Sequence, residues 1–359
     1  MIRRHARRTA LLASLASLAV LAAACGNDDG DSTPATTAAP ATTAAAAGGT
    51  TTAAPTTTAA PDPKADWPKT LRFAAVPAEN AEDISQYVTH EIISDELGIE
   101  MEFVQAADYA GVIEGTIAER VDIGAFGPFS YVIASLAGAD IDLAGVWGDE
   151  DGNPDDYRSY LVVPVGSDIR KPADLAGKKV CFVDPGSTSG YLFPSAALLA
   201  VDLDPSETST DITPIFAGGH DSSALAVKNG DCDAGFAYDT MITSQLIEDG
   251  SLAGVIDSVE DENVNPDAAE LDIIWKSTPI AAPPLAIGKW LPQSLQDALK
   301  DVVTTKVNVD YAVANGYCES VDNCPLSDGP FWGYIAETDA YFDGIRELCR
   351  LTGSPKCKL

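Results

Sequence analysis

The sequence predicts a mixed α/β fold, and three observations support this prediction. The chain has 359 residues, of which 46% are hydrophobic, so it is long enough to bury a sizeable core. From Trp67 onward, short apolar segments rich in β-branched and aromatic residues alternate with longer segments of helical periodicity. This alternation is typical of βαβ units, and it predicts a mostly parallel sheet covered by helices.

The predicted elements follow one another closely along this part of the chain. The first strand, Leu71–Val76, ends at Pro77, and the first helix runs from Ile84 to Leu97 with Gly98 as its stop signal. A second helix carries Val112, Ile113 and Ile117 on one face. The further predicted strands are Met101–Val104, Val121–Ala125, Leu161–Val163, Val180–Val183, Ile212–Phe216, Ala234–Ala237 and Ile273–Trp275. After Pro284 the pattern becomes more helical, through Leu295–Tyr311 and Phe331–Cys349.

Residues 1–24 have the composition of a bacterial signal peptide. Four arginines precede an apolar run from Thr9 to Ala24, which is too short to span a bilayer comfortably. The run ends in Leu-Ala-Ala-Ala followed by Cys25, a pattern that resembles a lipobox. We therefore expect cleavage before Cys25 and lipidation of that cysteine; the alternative is an ordinary secretion signal followed by an incidental cysteine.

Residues 25–66 are predicted to form a disordered linker. The tract from Ser32 to Pro63 consists largely of Thr, Ala and Pro and lacks aromatic residues, so it cannot bury enough apolar surface to fold. Its proline content favours an extended tether between the lipid anchor and the folded body.

The formal net charge is −32, which excludes nucleic acid as a plausible partner. A phosphate backbone is bound by clustered lysine and arginine side chains, whereas this chain has a large surplus of carboxylates. The simplest interpretation of the acidity is solubility, and it does not identify a ligand.

Six cysteines remain when Cys25 is assigned to the lipid anchor. An even number in an exported chain favours disulfides, and six cysteines allow fifteen pairings. Proximity in sequence favours Cys318 with Cys324 and Cys349 with Cys357, which leaves Cys181 with Cys232. The alternative is a metal site, but no cysteine spacing matches a zinc motif, so we expect neither a metal nor a cofactor.

The segment from Asp184 to Tyr191 contains the strongest chemical signal in the body. A predicted strand ends there, Gly186 permits a tight turn, and Ser187, Thr188 and Ser189 stand where the next helix begins, followed by Gly190. The first turn of a helix has unpaired N–H groups and a positive dipole end, so added hydroxyls favour a tetrahedral oxyanion. The alternative is an ordinary N-cap, because Ser and Thr are common at that position.

Nucleophilic catalysis is not predicted. The nucleophile elbow requires serine at the centre of a Gly-x-Ser-x-Gly turn, and the central residue here is Thr188. The mature chain keeps two histidines, His90 and His220, and an adjacent Asp221 does not by itself orient His220 as a base. We therefore expect a binding protein and not an enzyme.

Several segments in order along the chain resemble the phosphate/phosphite/phosphonate-binding proteins of ABC transporters. The resemblance covers roughly Leu71 to Ile287. It rests on the segments Asp108–Gly115, Phe126–Tyr131, Asp184–Tyr191, Gly218–Asp221, Ala226–Asp231 and Ile274–Ser277.

The resemblance implies a type II periplasmic-binding fold, in which two α/β lobes enclose a ligand cleft. The first lobe would comprise residues 67–162 and 278–359, and the second lobe residues 163–277. Two connections would cross between the lobes, near Tyr160–Val165 and Trp275–Ala282.

The resemblance also assigns ligand-binding roles to individual residues. Ser187, Thr188 and Ser189, with Gly190, would bind the phosphoryl group together with His220 of the same lobe. Tyr109 and Tyr157 would face them from the other side of the cleft. Tyr131 is a further candidate that could instead pack behind the cleft, and Asp239 is either an N-cap or an acceptor in the cleft.

The expected function is to bind a small phosphorus oxyanion outside the cytoplasm, on a lipid anchor, and to deliver it to the permease of an ABC importer. Where aminoalkylphosphonate binders of this family place a carboxylate, this chain has Ala281–Pro284, which favours a smaller or neutral-tailed ligand. The alternatives are a receptor for another oxyanion, such as a sulfonate or a carboxylate, and a sensor with the same fold.

Overall fold

The computed structural model describes residues 63–77, 84–327 and 331–357. Its strands are β1 (Thr70–Ala75), β2 (Glu100–Phe103), β3 (Ile123–Ala125), β4 (Ile141–Gly148), β5 (Ser159–Pro164), β6 (Lys179–Phe182), β7 (Thr213–Phe216), β8 (Ala234–Tyr238), β9 (Val255–Asp257), β10 (Leu271–Lys276), β11 (Pro284–Gly288) and β12 (Gly333–Ile335). Its α-helices are α1 (Ile84–Leu97), α2 (Tyr109–Ile117), α3 (Pro128–Leu136), α4 (Phe193–Leu199), α5 (His220–Lys228), α6 (Leu246–Glu248), α7 (Gln293–Lys306), α8 (Val309–Asn315) and α9 (Asp343–Thr352).

The predicted signal peptide, the predicted lipidation site Cys25 and nearly all of the predicted linker lie outside the described residues. Within the ranges that are described, no helix is both long and apolar enough to cross a bilayer.

The strands form two six-stranded sheets, each of which defines one lobe. The first sheet has the order β12-β4-β11-β3-β1-β2, and the second has the order β7-β6-β8-β5-β10-β9. In β11, Leu285 and Ile287 belong to the apolar layer on one face of the first sheet and Ala286 to the layer on the other face. This period of two places apolar layers on both faces, as a central strand between helices requires.

The prediction of a mostly parallel sheet is wrong in detail. β1 runs parallel to β2 and β3, but β11 runs antiparallel to both β3 and β4. In the second lobe β5 likewise runs antiparallel to β8 and β10. β5 is the first strand after the chain enters the second lobe, and β11 is the first after it returns. Each is inserted between strands that run in the opposite direction.

The two connections between the lobes lie close to each other. The chain leaves the first sheet after Gly148 and enters the second at Ser159, and it returns between Lys276 and Pro284. Tyr157 and Ile280 join these two segments by an antiparallel bridge. The return overlaps the predicted second crossing. The predicted first crossing, near residues 160–165, instead falls largely inside β5, and the predicted boundary at residue 162 divides that strand.

The C-terminal part of the chain contains less helix than predicted. The segment Phe331–Cys349 includes β12, which pairs antiparallel with β4, before α9 begins. The predicted helix Leu295–Tyr311 is two helices, because Asn308 accepts a hydrogen bond from the Tyr311 amide and caps a new helix. Residues of α7, among them Leu295 and Leu299, nevertheless join the core of the first lobe.

Three disulfides have the predicted pairing: Cys181–Cys232, Cys318–Cys324 and Cys349–Cys357. Cys181 lies on β6, and Cys232 shortly precedes β8, the parallel neighbour of β6. Their Cα atoms are 5.9 Å apart, so this disulfide joins β6 to the segment that leads into β8.

Candidate functional site

A cavity of about 290 Å³ is lined by residues of both lobes and of the segment that connects them. The first lobe contributes Ala75, Val76, Tyr109, Ala125, Phe126, Gly127, Trp147, Pro283, Pro284 and Phe331. The connection and the second lobe contribute Asp155, Asp156, Tyr157, Tyr160, Ser187, Thr188, Ser189, His220, Tyr238, Asp239, Thr240, Thr243 and Gln245. These lining residues include many hydroxyls but neither lysine nor arginine, so the cavity offers an anion hydrogen bonds rather than ion pairs.

The hydroxyl run begins a helix, as predicted, but the first turn of that helix is a π-helix, Thr188–Leu192. Ser187 is the N-cap, and its Oγ accepts a 3.0 Å hydrogen bond from the Gly190 amide. Asp184 fixes the preceding turn by accepting from the Gly186 amide at 2.6 Å. Because Ser187 Oγ uses a lone pair for the cap, its own O–H remains able to donate into the cavity.

Two tyrosines face the hydroxyl run, as predicted. Tyr109 begins α2 and its phenol lies near Ser187, whereas the phenol of Tyr157 in the connecting segment lies near Thr188 and Ser189. Burial raises the pKa of both phenols well above the usual range, so both keep their protons at neutral pH. Each can therefore donate a hydrogen bond to an oxyanion.

Gly186 allows the close approach of the two lobes at this point. A Cβ on Gly186 would lie 3.2 Å from the Cβ of Tyr109, which is tighter than an ordinary contact. Thr188 Oγ1 makes a direct connection, because it accepts a 2.9 Å hydrogen bond from the Phe129 amide at the start of α3. The hydroxyl run thus contacts both the cavity and the first lobe.

His220 is the first residue of α5 and is buried, with 3% of its surface exposed. Its Nδ1 accepts a 3.1 Å hydrogen bond from the Tyr238 amide, so the neutral ring carries its proton on Nε2. Nε2 lies 3.4 Å from Ser187 Oγ. Burial lowers the pKa of His220 to about 3, so the ring is a neutral donor at physiological pH.

Asp239 follows β8 and supplies a carboxylate to the same cavity. Its two oxygens accept from the backbone amides of Arg158 at 2.8 Å and of Thr240 at 3.0 Å. Burial nevertheless raises the pKa of Asp239 to about 6, because these two hydrogen bonds only partly offset the loss of water.

Two predicted ligand residues lie elsewhere. Tyr131 is fully buried in α3, does not line the cavity, and donates a 2.8 Å hydrogen bond to Asp339. Gly190 is also outside the lining, and its amide is used by Ser187. A Cβ on Gly190 would lie 2.4 Å from the Cβ of Val183, so glycine is required there for packing.

The sequence did not indicate several residues that line the cavity. Asp155 and Asp156 stand at the end of an acidic stretch that begins at Asp149, and such stretches usually belong to solvated loops. Trp147 and Phe331 are stacked with ring centroids 4.6 Å apart, although they are distant in sequence. No feature of the neighbouring sequence indicates that these side chains line the same cavity.

The proximity of Ser187 and His220 does not create a nucleophile and its base. A base must accept the serine proton, but Nδ1 is occupied by the Tyr238 amide and Nε2 carries the proton. The arrangement is therefore suited to donating hydrogen bonds to an oxyanion and not to activating a serine.

A protein family and a sequence relative both match most of this chain. Residues 73–307 match the family of phosphonate ABC-transporter periplasmic substrate-binding proteins. The phosphate-import protein PhnD of Mycolicibacterium smegmatis is 43% identical over 299 residues, which cover 81% of this chain and 88% of that protein.

Two solved structures have a similar fold. A binding-protein component of an ABC phosphonate transporter from Pseudomonas aeruginosa has a TM-score of 0.65 at 22% identity, covering 80% of this chain and 87% of that one. PhnD1 of Prochlorococcus marinus, in complex with methylphosphonate, has a TM-score of 0.61 at 17% identity, covering 81% and 99%. The two-lobed fold is thereby confirmed, and the chain belongs to the phosphonate-binding family of ABC-transporter periplasmic substrate-binding proteins.

Proposed function

We propose that the cavity binds a small phosphorus oxyanion (phosphate, phosphite or a phosphonate) and that the protein delivers it to the permease of an ABC importer. The observation that carries this proposal is the composition of the cavity: hydroxyl donors and His220, whose Nε2 carries the proton, line the same cavity as Asp239. Hydroxyls and N–H groups bind ionised oxygens, whereas an ionised carboxylate can only accept and so favours an oxyanion that retains a P–OH. The named ligands of the Mycolicibacterium and Prochlorococcus proteins support the same class.

Isothermal titration calorimetry of the purified chain against phosphate, phosphite, methylphosphonate, sulfate and ethanesulfonate tests this proposal. We expect at least one phosphorus ligand to bind and sulfate to bind far more weakly, because sulfate at neutral pH offers no proton to Asp239. Tight binding of ethanesulfonate without binding of any phosphorus ligand would instead support a sulfonate receptor. Release of product from a phosphorus ester would contradict the expectation, drawn from the sequence, that the protein is not an enzyme.

We further propose that Cys25 carries a lipid, which anchors the protein at the outer face of the cell membrane. The proposal rests on the lipobox-like residues that precede Cys25 and on the Thr/Ala/Pro tract that follows it. Expression of the full chain and of Cys25→Ser in a bacterial host, followed by membrane fractionation, tests it. The wild-type chain should sediment with membranes and Cys25→Ser should not; equal sedimentation would refute the anchor.

A further inference from the structure

Asp155 has an unusual environment for a cavity carboxylate. Two carboxylates that are buried elsewhere in the described residues are paired with cations: Asp122 with Arg72 at 2.7 Å, and Asp257 with Lys276 at 2.6 Å. Among the described residues, no donor hydrogen-bonds to the Asp155 side chain and no cation lies within ion-pair distance of it. The carboxylate lines the cavity two residues before Tyr157, on the segment that connects the lobes.

The charges around Asp155 do not compensate for this lack of a partner. The groups that act on it most strongly are the carboxylates of Asp239, Asp149 and Asp156. The guanidinium of Arg158 is directed elsewhere, because it donates to the Ser277 carbonyl at 2.6 Å. Burial and these negative neighbours raise the pKa of Asp155 to about 7, so the unliganded cavity readily holds a proton at this position.

A hydrogen shared between the Asp155 carboxylate and the ligand would offset the carboxylate's loss of water and its repulsion by the neighbouring carboxylates. The donors of the site, such as Ser187, Tyr109 and Tyr157, can bind the ionised oxygens of an anion. Asp155 and Asp239 can bind only oxygens that carry hydrogen, or must share their own proton with the ligand. Dihydrogen phosphate carries two P–OH groups, whereas the monoanions of phosphite and methylphosphonate carry one.

We propose that Asp155 is a specificity residue that accepts a second P–OH hydrogen bond beside Asp239 and so favours phosphate over phosphite and phosphonates. This inference deepens the proposed function and rests on it. Monohydrogen phosphate and a protonated Asp155 give the same bound state, because the hydrogen then lies between the same two oxygens. Phosphate has four oxygens, so two remain for the hydroxyl donors when two meet Asp155 and Asp239, whereas phosphite and methylphosphonate have three and keep only one.

Calorimetry with phosphate, methylphosphonate and 2-aminoethylphosphonate tests the proposal on the wild-type chain, Asp155→Asn and Asp151→Asn. Asp151 is exposed in the same acidic stretch and does not line the cavity, so its replacement controls for the loss of one charge. A carboxamide both accepts and donates, so Asp155→Asn should reduce the preference for phosphate over methylphosphonate by about tenfold or more. Asp151→Asn should leave the preference within about threefold of the wild type.

Several outcomes separate this inference from the proposed function. If the wild-type chain binds no phosphorus ligand, the proposed function itself fails. If phosphate and methylphosphonate lose affinity equally in Asp155→Asn, Asp155 has no role in specificity and the inference alone fails. A selective loss of affinity for 2-aminoethylphosphonate in Asp155→Asn would also overturn the inference, since Asp155 would then be the partner of an ammonium group.

Asp155→Ala removes the acceptor altogether, so it should reduce the phosphate preference at least as much as Asp155→Asn. Thermal unfolding verifies that both variants fold.

Discussion

The side-chain oxygen of Thr188 accepts a 2.9 Å hydrogen bond from the backbone amide of Phe129, although the two residues belong to different lobes. Phe129 lies in the first turn of α3, whose N-cap, Gly127, has no side chain to satisfy the free amides of that turn. Thr188 therefore caps the helix from the opposite lobe. The cap exists only when the lobes are together, and it uses a residue that also faces the ligand cavity.

Thr188 should consequently couple ligand binding to closure of the lobes. Replacing it with valine keeps its shape but removes the hydroxyl, so we expect ligand affinity to fall by about 10–100-fold. Small-angle scattering should show a clear decrease in the radius of gyration when ligand saturates the wild-type chain and a smaller one for Thr188→Val. Thr188→Ser, which keeps the hydroxyl, is the matched control and should behave like the wild type. No ligand-induced compaction of the wild-type chain would contradict a hinged cleft.

The carboxylate of Asp239 should exclude fully ionised sulfur oxyanions. In Asp239→Asn we expect weaker phosphorus binding and stronger sulfate binding, because the carboxamide donates where the carboxylate could only accept. Both carboxylate oxygens also accept backbone amides, so the variant needs a thermal unfolding control. Ser189→Ala should instead weaken phosphate and sulfate together, by roughly 1–3 kcal/mol for a lost hydrogen bond to a charged ligand. Equal affinity of the wild-type chain for sulfate and phosphate would show that Asp239 does not discriminate between sulfur and phosphorus oxyanions.

Asp155 should make the stability of the unliganded protein depend on pH. Its pKa in the folded state is about 7, above the ordinary value of 3.8, so folding favours its protonated form. The contribution of protonated Asp155 to the stability of the folded protein is complete below about pH 4 and is lost as the pH rises through 7. Asp155→Asn cannot ionise, so its melting temperature should match the wild type near pH 4 and exceed it at pH 8.

Differential scanning fluorimetry between pH 4 and pH 8 measures this difference, with Asp151→Asn as the exposed control. An equal shift of the melting temperature at both ends of the range would show that the effect does not arise from titration of Asp155.

The disulfide Cys181–Cys232 should contribute strongly to the stability of the second lobe. Both cysteines are buried, and they close a loop with a sequence separation of 51 residues. Replacing both with alanine should lower the free energy of unfolding by about 3–4 kcal/mol. The matched replacement of Cys318 and Cys324, which are 6 residues apart, should cost less because that loop is short. Urea unfolding monitored by circular dichroism gives both values, and a smaller loss for Cys181–Cys232 would contradict this ranking.

Features that depend on neighbouring residues could be predicted from the sequence. The hydroxyl donors at residues 187–189 are one example, because a strand end, a glycine turn and a helix start are all encoded over a short stretch of chain. Two of the three disulfides join cysteines that are close in sequence, and the third pairing followed by elimination. The apolar residues of β1 and the Gly98 stop signal after α1 likewise placed these elements nearly where the structure has them.

Which distant residues complete the site depends instead on how the two sheets are placed against each other. Tyr131 follows the Gly-Pro turn that lines the cleft, yet it is buried away from the cavity, whereas Asp155 resembled part of a solvated loop and lines it. The hydrogen bond between Thr188 and Phe129 likewise joins segments that have no sequence signal in common. Periodicity indicates which face of a helix or strand is apolar, but not which other element packs against that face. The burial of the cavity residues, the charges beside them and their pKa values all depend on that packing.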